Sequence, residues 1–236
     1  MTAIGHRNGV ATRRPRYDDG CLAANALNVV GDRWALLVVR ELLLSPKRFQ
    51  GIRAGLPGIT AAVLATRLEQ LAAAGIVERH PQLRHYALTP LGEALLPVVL
   101  ELGRWGVRHP DHDPSRFISP TSLMLSMTIM IDTDAAIGRH EVAGLDLGTE
   151  SFTLRLDGRG VLEAAPSIAP DVSFVLGGTG NALAVAVYGP HPIGELVRSG
   201  AVTLDGDEVR AAAFLALFSL EPVPRPPRRP AATARR

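Results

Sequence analysis

The hydrophobic pattern between residues 49 and 75 predicts two helices joined by a tight turn. The first is Phe49–Leu56, Pro57-Gly58 breaks it, and Thr60 caps the second through its hydroxyl. At helical spacing the second helix has an apolar face and an opposite small or polar face: Leu64, Leu68, Leu71 and Gly75 on the first, and Ala62, Thr66, Glu69 and Ala73 on the second. This is the outline of a helix-turn-helix, whose free face enters the DNA major groove.

The flanking pattern predicts a small domain around this motif. An amphipathic helix starts near Cys21 and ends at Gly31, and the apolar run at residues 34–44 is expected to form a buried central helix. After the motif, short strands at residues 76–80 and 84–88 form a hairpin, or wing. Thr89 caps a last helix that reaches Gly106. Its surplus apolar residues favour a subunit interface and hence a homodimer.

Composition narrows the class of protein. The chain has 236 residues, 47% of them hydrophobic, and a single cysteine, so a disulfide framework is excluded and a reducing, cytoplasmic location is expected. The first residues lack the apolar segment of a secretory signal. The uncharged run at residues 172–194 is broken by glycines and prolines, so we expect no membrane-spanning helix.

Charge is distributed unevenly along the chain. Residues 1–110 hold 14 basic and 8 acidic residues, a net charge of +6, whereas residues 111–221 hold 6 and 15, a net charge of −9. A basic first half suits the phosphate backbone of double-stranded DNA, and an acidic second half does not. The arginine-containing arm at residues 1–16 and the Pro- and Arg-rich tail at residues 222–236 are expected to be extended.

The predicted DNA contacts lie on the turn before the motif, the second motif helix and the wing. Backbone contacts are expected from the turn and the wing, methyl contacts with thymine from the helix, and an adenine contact from Gln70. Arg67 lies on the flank of the helix, and two interpretations of it remain: a phosphate contact or an internal ion pair. The full set is Lys47, Arg48, Thr60, Ala62, Thr66, Arg67, Gln70, Arg79, Arg84 and His85.

Spaced residues across about residues 17–108 carry a family resemblance. They include Cys21, Val30-Gly31-Asp32-Arg33-Trp34, Arg48-Phe49, Leu56-Pro57-Gly58-Ile59-Thr60, Gly75-Ile76-Val77-Glu78-Arg79 and Tyr86-Ala87-Leu88-Thr89-Pro90-Leu91-Gly92. The segment resembles the HxlR-type winged helix family of bacterial transcription regulators. The resemblance implies a homodimer paired through its terminal helices, with the second motif helix in the major groove and the wing on the flanking backbone.

The hydrophobic pattern of residues 121–221 predicts a second domain, of the α+β class. The apolar run at residues 122–132 is expected to be a strand buried on both faces. Residues 152–156 and 161–164 form a hairpin around Asp157-Gly158, and residues 172–176 form a further strand. Short helices at residues 181–187 and 193–197, a strand at residues 202–204 and an apolar helix at residues 208–218 complete the order.

The run Asp171–Leu176, the helical segment after it, and Ser199–Asp207 with its following apolar helix resemble the sterol carrier protein type two-like domain. That resemblance implies a mainly antiparallel curved sheet covered by helices around an apolar tunnel for a hydrophobic ligand. Flexible or aromatic apolar residues are the lining candidates, with ordinary core as the plainer interpretation for any one of them. They are Met124, Met127, Met130, Phe152, Phe174, Leu183 and Phe214.

Other chemistry receives little support from the sequence. Cys21 is a candidate redox sensor at a helix start, or else a small residue in a dimer core. The run His109–Pro114 favours a linker over a metal site, and Gly177–Gly180 lacks the spacing of a nucleotide-binding loop. We therefore predict no catalytic set, no metal and no cofactor.

Together these patterns predict a basic arm at 1–16, a winged helix-turn-helix domain at 17–108, a linker at 109–120, a ligand-binding α+β domain at 121–221 and a tail at 222–236. The expected function is a dimeric DNA-binding regulator that senses a hydrophobic small molecule. Two alternatives stay open: the second domain only dimerises, or it is a lipid carrier fused to a winged helix.

Overall fold

The computed structural model describes residues 17–221, so the predicted arm and tail lie outside the described residues. The first domain contains six helices and three short strands in this part of the chain. They are α1 (Leu22–Val30), α2 (Ala35–Leu42), β1 (Lys47–Arg48), α3 (Phe49–Ala54), α4 (Ala61–Ala73), β2 (Val77–His80), β3 (His85–Leu88), α5 (Pro90–Glu93) and α6 (Leu96–Gly106).

The helix-turn-helix forms as the sequence predicts. Helix α3 ends before Pro57, and Gly58 takes a φ of 86°, a left-handed conformation that glycine adopts without strain. The Thr60 hydroxyl then accepts a hydrogen bond from the Val63 amide at 3.3 Å, which satisfies one free donor at the start of α4. The Leu64 and Leu68 side chains of α4 are buried against the first domain's core.

The wing is a three-stranded antiparallel sheet in the order β1-β3-β2. Strands β2 and β3 are the predicted hairpin, with Val77 opposite Leu88 and His80 opposite His85. The sequence did not reveal β1, because a two-residue strand is too short to show a periodic pattern. Its pairing of Lys47 with Tyr86 connects the start of α3 directly to the wing.

The second domain is a five-stranded mixed sheet with helices packed against it. Its elements are α7 (Pro120–Met130), α8 (Thr133–Ala136), β4 (Ile137–Asp146), β5 (Ser151–Arg159), β6 (Leu162–Pro166), β7 (Phe174–Gly177), α9 (Gly180–Tyr188), α10 (Ile193–Arg198), β8 (Thr203–Gly206) and α11 (Glu208–Leu215). The strand order is β6-β5-β4-β7-β8, in which only the central β4–β7 pair is parallel.

The expectation of a strand at residues 122–132 is wrong, because this run lies mostly in helix α7. The run is apolar on every side, so its periodicity could not distinguish a buried strand from a buried helix. The local signals for a helix are at its start, where the Ser119 hydroxyl accepts from the Ser122 amide at 3.1 Å and Pro120 occupies the first turn.

Strand β4 is the central strand, yet the sequence analysis did not assign it. Its first half, Ile137–His140, is exposed, and only Ala143–Leu145 is fully buried, so the segment lacks regular alternation. Pairing with both β5 and β7 supplies its backbone hydrogen bonds. Its conformation is therefore decided by its neighbours in the sheet.

The structure has two separate hydrophobic cores. One includes Leu42, Ile52 and Leu68 and lies within the winged helix-turn-helix domain. The other includes Met127 and Phe174 and lies between the five-stranded sheet and its helices. The two domains nevertheless touch, because α2 and α6 both pack against α7.

Candidate nucleic-acid interface

Helix α4 exposes a face of small residues. Ala62, Thr66 and Gln70 are exposed, whereas Leu64 and Leu71 are buried on the opposite side. This is the division that the sequence predicted. The methyl groups of Ala62 and Thr66 offer thymine contacts, and the Thr66 hydroxyl and Gln70 amide can hydrogen-bond base edges.

Arg67 forms an internal ion pair, which settles the alternative that the sequence left open. Its side chain is buried, with 5% of the residue exposed, and Nη2 lies 2.6 Å from Asp32 Oδ1. This pair ties α4 to the turn between α1 and α2. The alternative reading of a phosphate contact is wrong for this structure, because the guanidinium points into the domain.

Arg67 also determines how Gln70 is presented. The Arg67 Nη1 group donates to Gln70 Oε1 at 2.6 Å. A guanidinium has no acceptor, so the amide oxygen must face Arg67 and the amide nitrogen faces away from it. Bidentate pairing with adenine needs the oxygen and nitrogen to face one base together. The predicted adenine contact therefore does not fit this geometry, which offers N–H donors instead.

Lys47 is buried rather than directed to DNA. Only 7% of the residue is exposed, and its ammonium lies 3.1 Å from Glu41 Oε2, 2.7 Å from Glu150 Oε2 and 2.8 Å from Thr121 Oγ1. Strand alternation turns Lys47 inward and Arg48 outward. The expected phosphate contact of Lys47 is wrong for this structure, whereas Arg48 is exposed as predicted.

The wing carries the remaining predicted cations. Arg84 is exposed at the hairpin turn with a φ of 54°, and Arg79 is exposed over the Tyr86 ring, 6.0 Å from its centroid. His85 is half-buried and lies opposite Arg48 in the β1–β3 register. The wing thus presents Arg84 at its tip and Arg79 along its side.

Arg53 is an exposed cation that the sequence analysis missed. It lies in the last turn of α3, the helix that crosses the DNA backbone in a helix-turn-helix. Among residues 17–221, no carboxylate forms an ion pair with Arg48, Arg53, Arg79 or Arg84. The available signal was the helical position of Arg53, on the side opposite the buried Ile52.

A buried polar cluster joins the two domains behind this surface. Glu41 is fully buried, and its Oε1 accepts from Arg40 Nη2 at 2.7 Å and from Ser119 Oγ at 2.6 Å. Its other oxygen faces Lys47, which also holds Glu150 of the second domain. Two cations and two carboxylates therefore balance each other, and each Glu41 oxygen has a partner.

Helices α1 and α6 of the first domain both expose apolar residues. Leu22 on α1 is 88% exposed and Trp105 on α6 is 68% exposed, and other apolar residues of the two helices are exposed with them: Leu27, Val29, Val98 and Leu102. Exposed patches of this kind mark interaction sites in proteins that are otherwise well packed.

Cys21 lies at the N-cap position of α1 and is exposed in the single chain. Hydrogen bonds from the backbone amides of Ala24 and then Ala23 lower the pKa of its thiol. A lowered pKa increases the thiolate fraction, which is the reactive form. This geometry fits the redox hypothesis, while burial in a dimer core stays the other possibility.

The predicted ligand-lining residues are mostly packed together in the second core. Met124, Met127, Phe152, Phe174, Leu183 and Phe214 all belong to its buried cluster. The Phe174 and Phe214 rings lie 5.8 Å apart, edge to face. Met130 differs, because it lines a cavity between the domains. These six positions are thus core residues in this structure, in line with the plainer interpretation.

The other candidate motifs have structural roles. Thr179, within Gly177–Gly180, caps α9 by accepting from the Ala182 amide at 3.2 Å. The His109–Pro114 run lies between α6 and α7, and within residues 17–221 no group of three His, Cys, Asp or Glu residues could hold a metal ion. In the same residues no single helix is long and apolar enough to cross a membrane. Helices α1 and α2 reach the required length and apolar composition only as a pair, which is bent by 77°.

The exposed second motif helix and the three-stranded wing define a winged helix-turn-helix protein. The model of the HxlR-like helix-turn-helix family matches residues 29–114. The HTH-type transcriptional regulator YvaP of Bacillus subtilis is 35% identical over 102 residues, which span 41% of this chain and 89% of YvaP. The chain therefore belongs to the HxlR-like helix-turn-helix family.

Further relatives match the same domain. YybR, another HTH-type transcriptional regulator of B. subtilis, is 34% identical over 98 residues, or 39% of this chain and 78% of YybR. Among solved structures, quinone-bound YodB from B. subtilis is 36% identical, covers 37% of this chain and 97% of its own, and has a TM-score of 0.34. The family match ends at residue 114, before the second domain begins.

Proposed function

We propose that the protein is a homodimeric, DNA-binding transcriptional regulator whose second domain controls the position of the winged helix. The observation that carries this proposal is the set of exposed arginines on α3, β1 and the wing, which lack carboxylate partners among the described residues. In contrast, four arginines of the linker and second domain pair with aspartate or glutamate: Arg116, Arg155, Arg159 and Arg210. Unpaired arginines around α4 suit a phosphate backbone.

The small residues on the exposed face of α4 indicate how such a regulator recognises DNA. One hydroxyl and the Gln70 amide provide little hydrogen-bonded discrimination between bases, so phosphate contacts position the protein and DNA shape contributes to specificity. Arg48 and Arg53 would approach the backbone beside α4, and Arg84 would contact it from the wing. Affinity then depends strongly on salt concentration.

The homodimer is supported by the exposed apolar residues of α1 and α6. A second copy placed against both helices would bury Leu22 and Trp105 with their apolar neighbours. Pairing two winged helices also gives the two-fold arrangement that reads two half-sites. Relatives such as YvaP are named HTH-type transcriptional regulators, which agrees with this role.

Control by the second domain is supported by the buried cluster. Lys47 bonds to Glu150 and Thr121 in the second domain, and its neighbour Arg48 faces the DNA side of β1. A displacement of α7 would therefore move Lys47, which is the direct neighbour of the DNA-contacting residue Arg48 on β1. A hydrophobic small molecule would regulate DNA binding if it bound two arrangements of the domains unequally.

The DNA-binding proposal is tested by fluorescence anisotropy with a duplex from the region upstream of the protein's own gene. Arg48→Ala and Arg84→Ala should each weaken binding on every sequence and reduce the salt slope by about one unit. Arg198→Ala, an exposed arginine of the second domain, is the matched control and should change neither quantity. Absence of binding at low salt, or equal behaviour of all three variants, would contradict the proposal.

The dimer is tested by light scattering coupled to size-exclusion chromatography. Trp105→Glu places a charge in the apolar surface and should convert the dimer to a monomer. Val209 on α11 is similarly exposed, so Val209→Glu is the matched control and should leave the mass unchanged. A monomeric wild-type protein, or a dimer that tolerates Trp105→Glu, would exclude this surface as the interface.

A second candidate makes the second domain a ligand-free dimerisation module. The close packing of the six predicted lining residues favours this alternative. Native mass spectrometry separates the two, because a sensing domain retains a bound small molecule under gentle conditions and a packed module shows only its polypeptide mass.

A further inference from the structure

A cavity of about 590 Å³ lies between α2, α6, α7 and the linker. Ligand sites of small-molecule binding proteins have volumes in this range. Its walls are mainly apolar and come from both sides: Leu37 on α2, Val99 on α6, and Leu125, Ile129 and Met130 on α7. Gly106 on α6 also lines the cavity, and a Cβ at this position would meet no atom within 4 Å.

Polar side chains line the cavity from two parts of the chain. The linker contributes His112, Asp113 and Arg116, and the Asp113 carboxylate already accepts from Ser115 and Arg116. Helices α2 and α7 contribute donors. These are Arg40 and Ser122, and they lie close together because Arg40 and Ser119, one turn before Ser122, bond to the same Glu41 oxygen. Arg40 uses Nε and Nη2 for Glu41 and Gly55. Within residues 17–221, neither Arg40 Nη1 nor the Ser122 hydroxyl has a hydrogen-bond partner.

The acceptors near these two donors are already occupied. Glu41 receives Arg40, Ser119 and Lys47, and the Gly55 carbonyl receives Arg40. The Ser126 hydroxyl farther along α7 is paired with Tyr188 at 2.7 Å, and burial raises the pKa of Tyr188. A ligand head group that only accepts hydrogen bonds therefore matches the free groups, and a guanidinium bonds most strongly to a carboxylate.

We infer that this interdomain cavity binds a medium-chain carboxylic acid, with its carboxylate at Arg40 and Ser122 and its apolar chain between α6 and α7. This inference rests on the proposed regulatory function and gives it a ligand class and a site. The site lies outside the sheet core where the sequence predicted a ligand. A molecule in the cavity contacts both domains and sits beside the Glu41–Lys47 cluster, so its binding energy depends on how the domains are arranged.

The binding test uses the full-length protein without DNA and measures dodecanoate and dodecanol by isothermal titration calorimetry. Dodecanoate should bind at least about tenfold more tightly than dodecanol, because only the acid gains charge-assisted hydrogen bonds. Ser122→Ala should weaken dodecanoate binding about threefold to tenfold and weaken dodecanol binding less, because the alcohol accepts only a neutral hydrogen bond from Ser122. Equal affinity of the acid and the alcohol would overturn the carboxylate assignment.

The location is tested by filling the cavity. Gly106→Leu projects a side chain into it and should weaken dodecanoate binding by about tenfold or more. Ala213→Leu adds a similar group on the exposed side of α11 and should bind like wild type. Circular dichroism and thermal melting confirm that both variants fold. Unchanged affinity in a folded Gly106→Leu variant, or a loss only in the core variant Leu183→Ala, would overturn the site.

DNA binding is measured separately, so that failures can be told apart. Dodecanoate at saturation should shift DNA affinity at least about fivefold in the wild type and not in Gly106→Leu. If the protein binds DNA but not dodecanoate, the cavity assignment fails and the proposed function stands. If it binds dodecanoate but no DNA under any salt condition, the proposed function fails.

Discussion

Replacing Lys47 with methionine distinguishes a DNA contact from an interdomain contact at the same residue. The methylene stem is largely preserved, while the ammonium that links Glu41, Glu150 and Thr121 is lost. Removing one member of a buried ion pair costs about 3–5 kcal/mol. Arg40 and Ser119 still donate hydrogen bonds to Glu41 in this variant. We therefore expect the lower end of this range, a decrease of about 3 kcal/mol in the free energy of unfolding.

The assay is urea unfolding followed by circular dichroism, with Arg48→Met as the matched control. Arg48 is the exposed neighbour on the same strand, so its replacement should change the unfolding free energy by less than about 0.5 kcal/mol. A double-mutant cycle between Lys47→Met and Glu150→Gln should give a coupling of about 0.5–3 kcal/mol across the domain boundary. A stability loss for Lys47→Met below about 0.5 kcal/mol would refute the reasoning.

The same pair of variants reports on DNA. Arg48→Met should reduce the salt slope of DNA binding by about 0.9, the value for one lost phosphate contact. Lys47→Met should leave the slope unchanged, since its ammonium is buried in the ion-pair cluster. An equal reduction for both variants would mean that Lys47 leaves the cluster and reaches the phosphate backbone in solution.

Three further predictions test local geometry. Gly55, directly after α3, would overlap the buried Glu41 carboxylate if it carried a Cβ, so Gly55→Ala should destabilise the protein by more than about 1 kcal/mol. Gly51 within α3 has room for a Cβ, so Gly51→Ala should be neutral or stabilising, and equal melting temperatures of the two variants would refute this. Binding sites selected from a randomised duplex library by the wild type and by Gln70→Leu should differ at one base pair, which the variant no longer specifies. The wild type should select guanine there, because Arg67 holds the Gln70 oxygen and leaves only N–H donors for the base; adenine at that position would contradict the donor assignment. Iodoacetamide should label Cys21 with a half-maximal pH below that of the urea-unfolded chain, because amide hydrogen bonds lower its pKa in the fold; coincident profiles would exclude that effect.

Local signals explain which elements could be predicted. The Pro57-Gly58 break, the Thr60 cap and the leucine spacing of α4 all lie within one short stretch, and together they determine the helix-turn-helix. The wing hairpin shows the period change that marks strands. Helix α7 was misassigned because burial on all sides removes the polar positions from which a period is read.

The burial and the partners of individual polar residues were harder to predict. Lys47 and Arg48 are adjacent cations in the sequence, yet one is buried and the other exposed. The difference arises because Glu150, distant in sequence, reaches the side of β1 on which Lys47 lies. Arg67 and Gln70 similarly depend on Asp32, which comes from the turn before α2. Charge type could be read from the sequence, but partners could not.

The sequence by itself determined the winged helix-turn-helix, the basic character of the first domain and the α+β character of the second, because helical period, caps and turns act within a few residues. Only the tertiary structure decided that Lys47 and Arg67 point inward, that six of the seven predicted lining residues form a packed core, and that Met130 lines a cavity between the domains. These outcomes depend on contacts between distant segments, whose geometry exists only once the two domains have packed together.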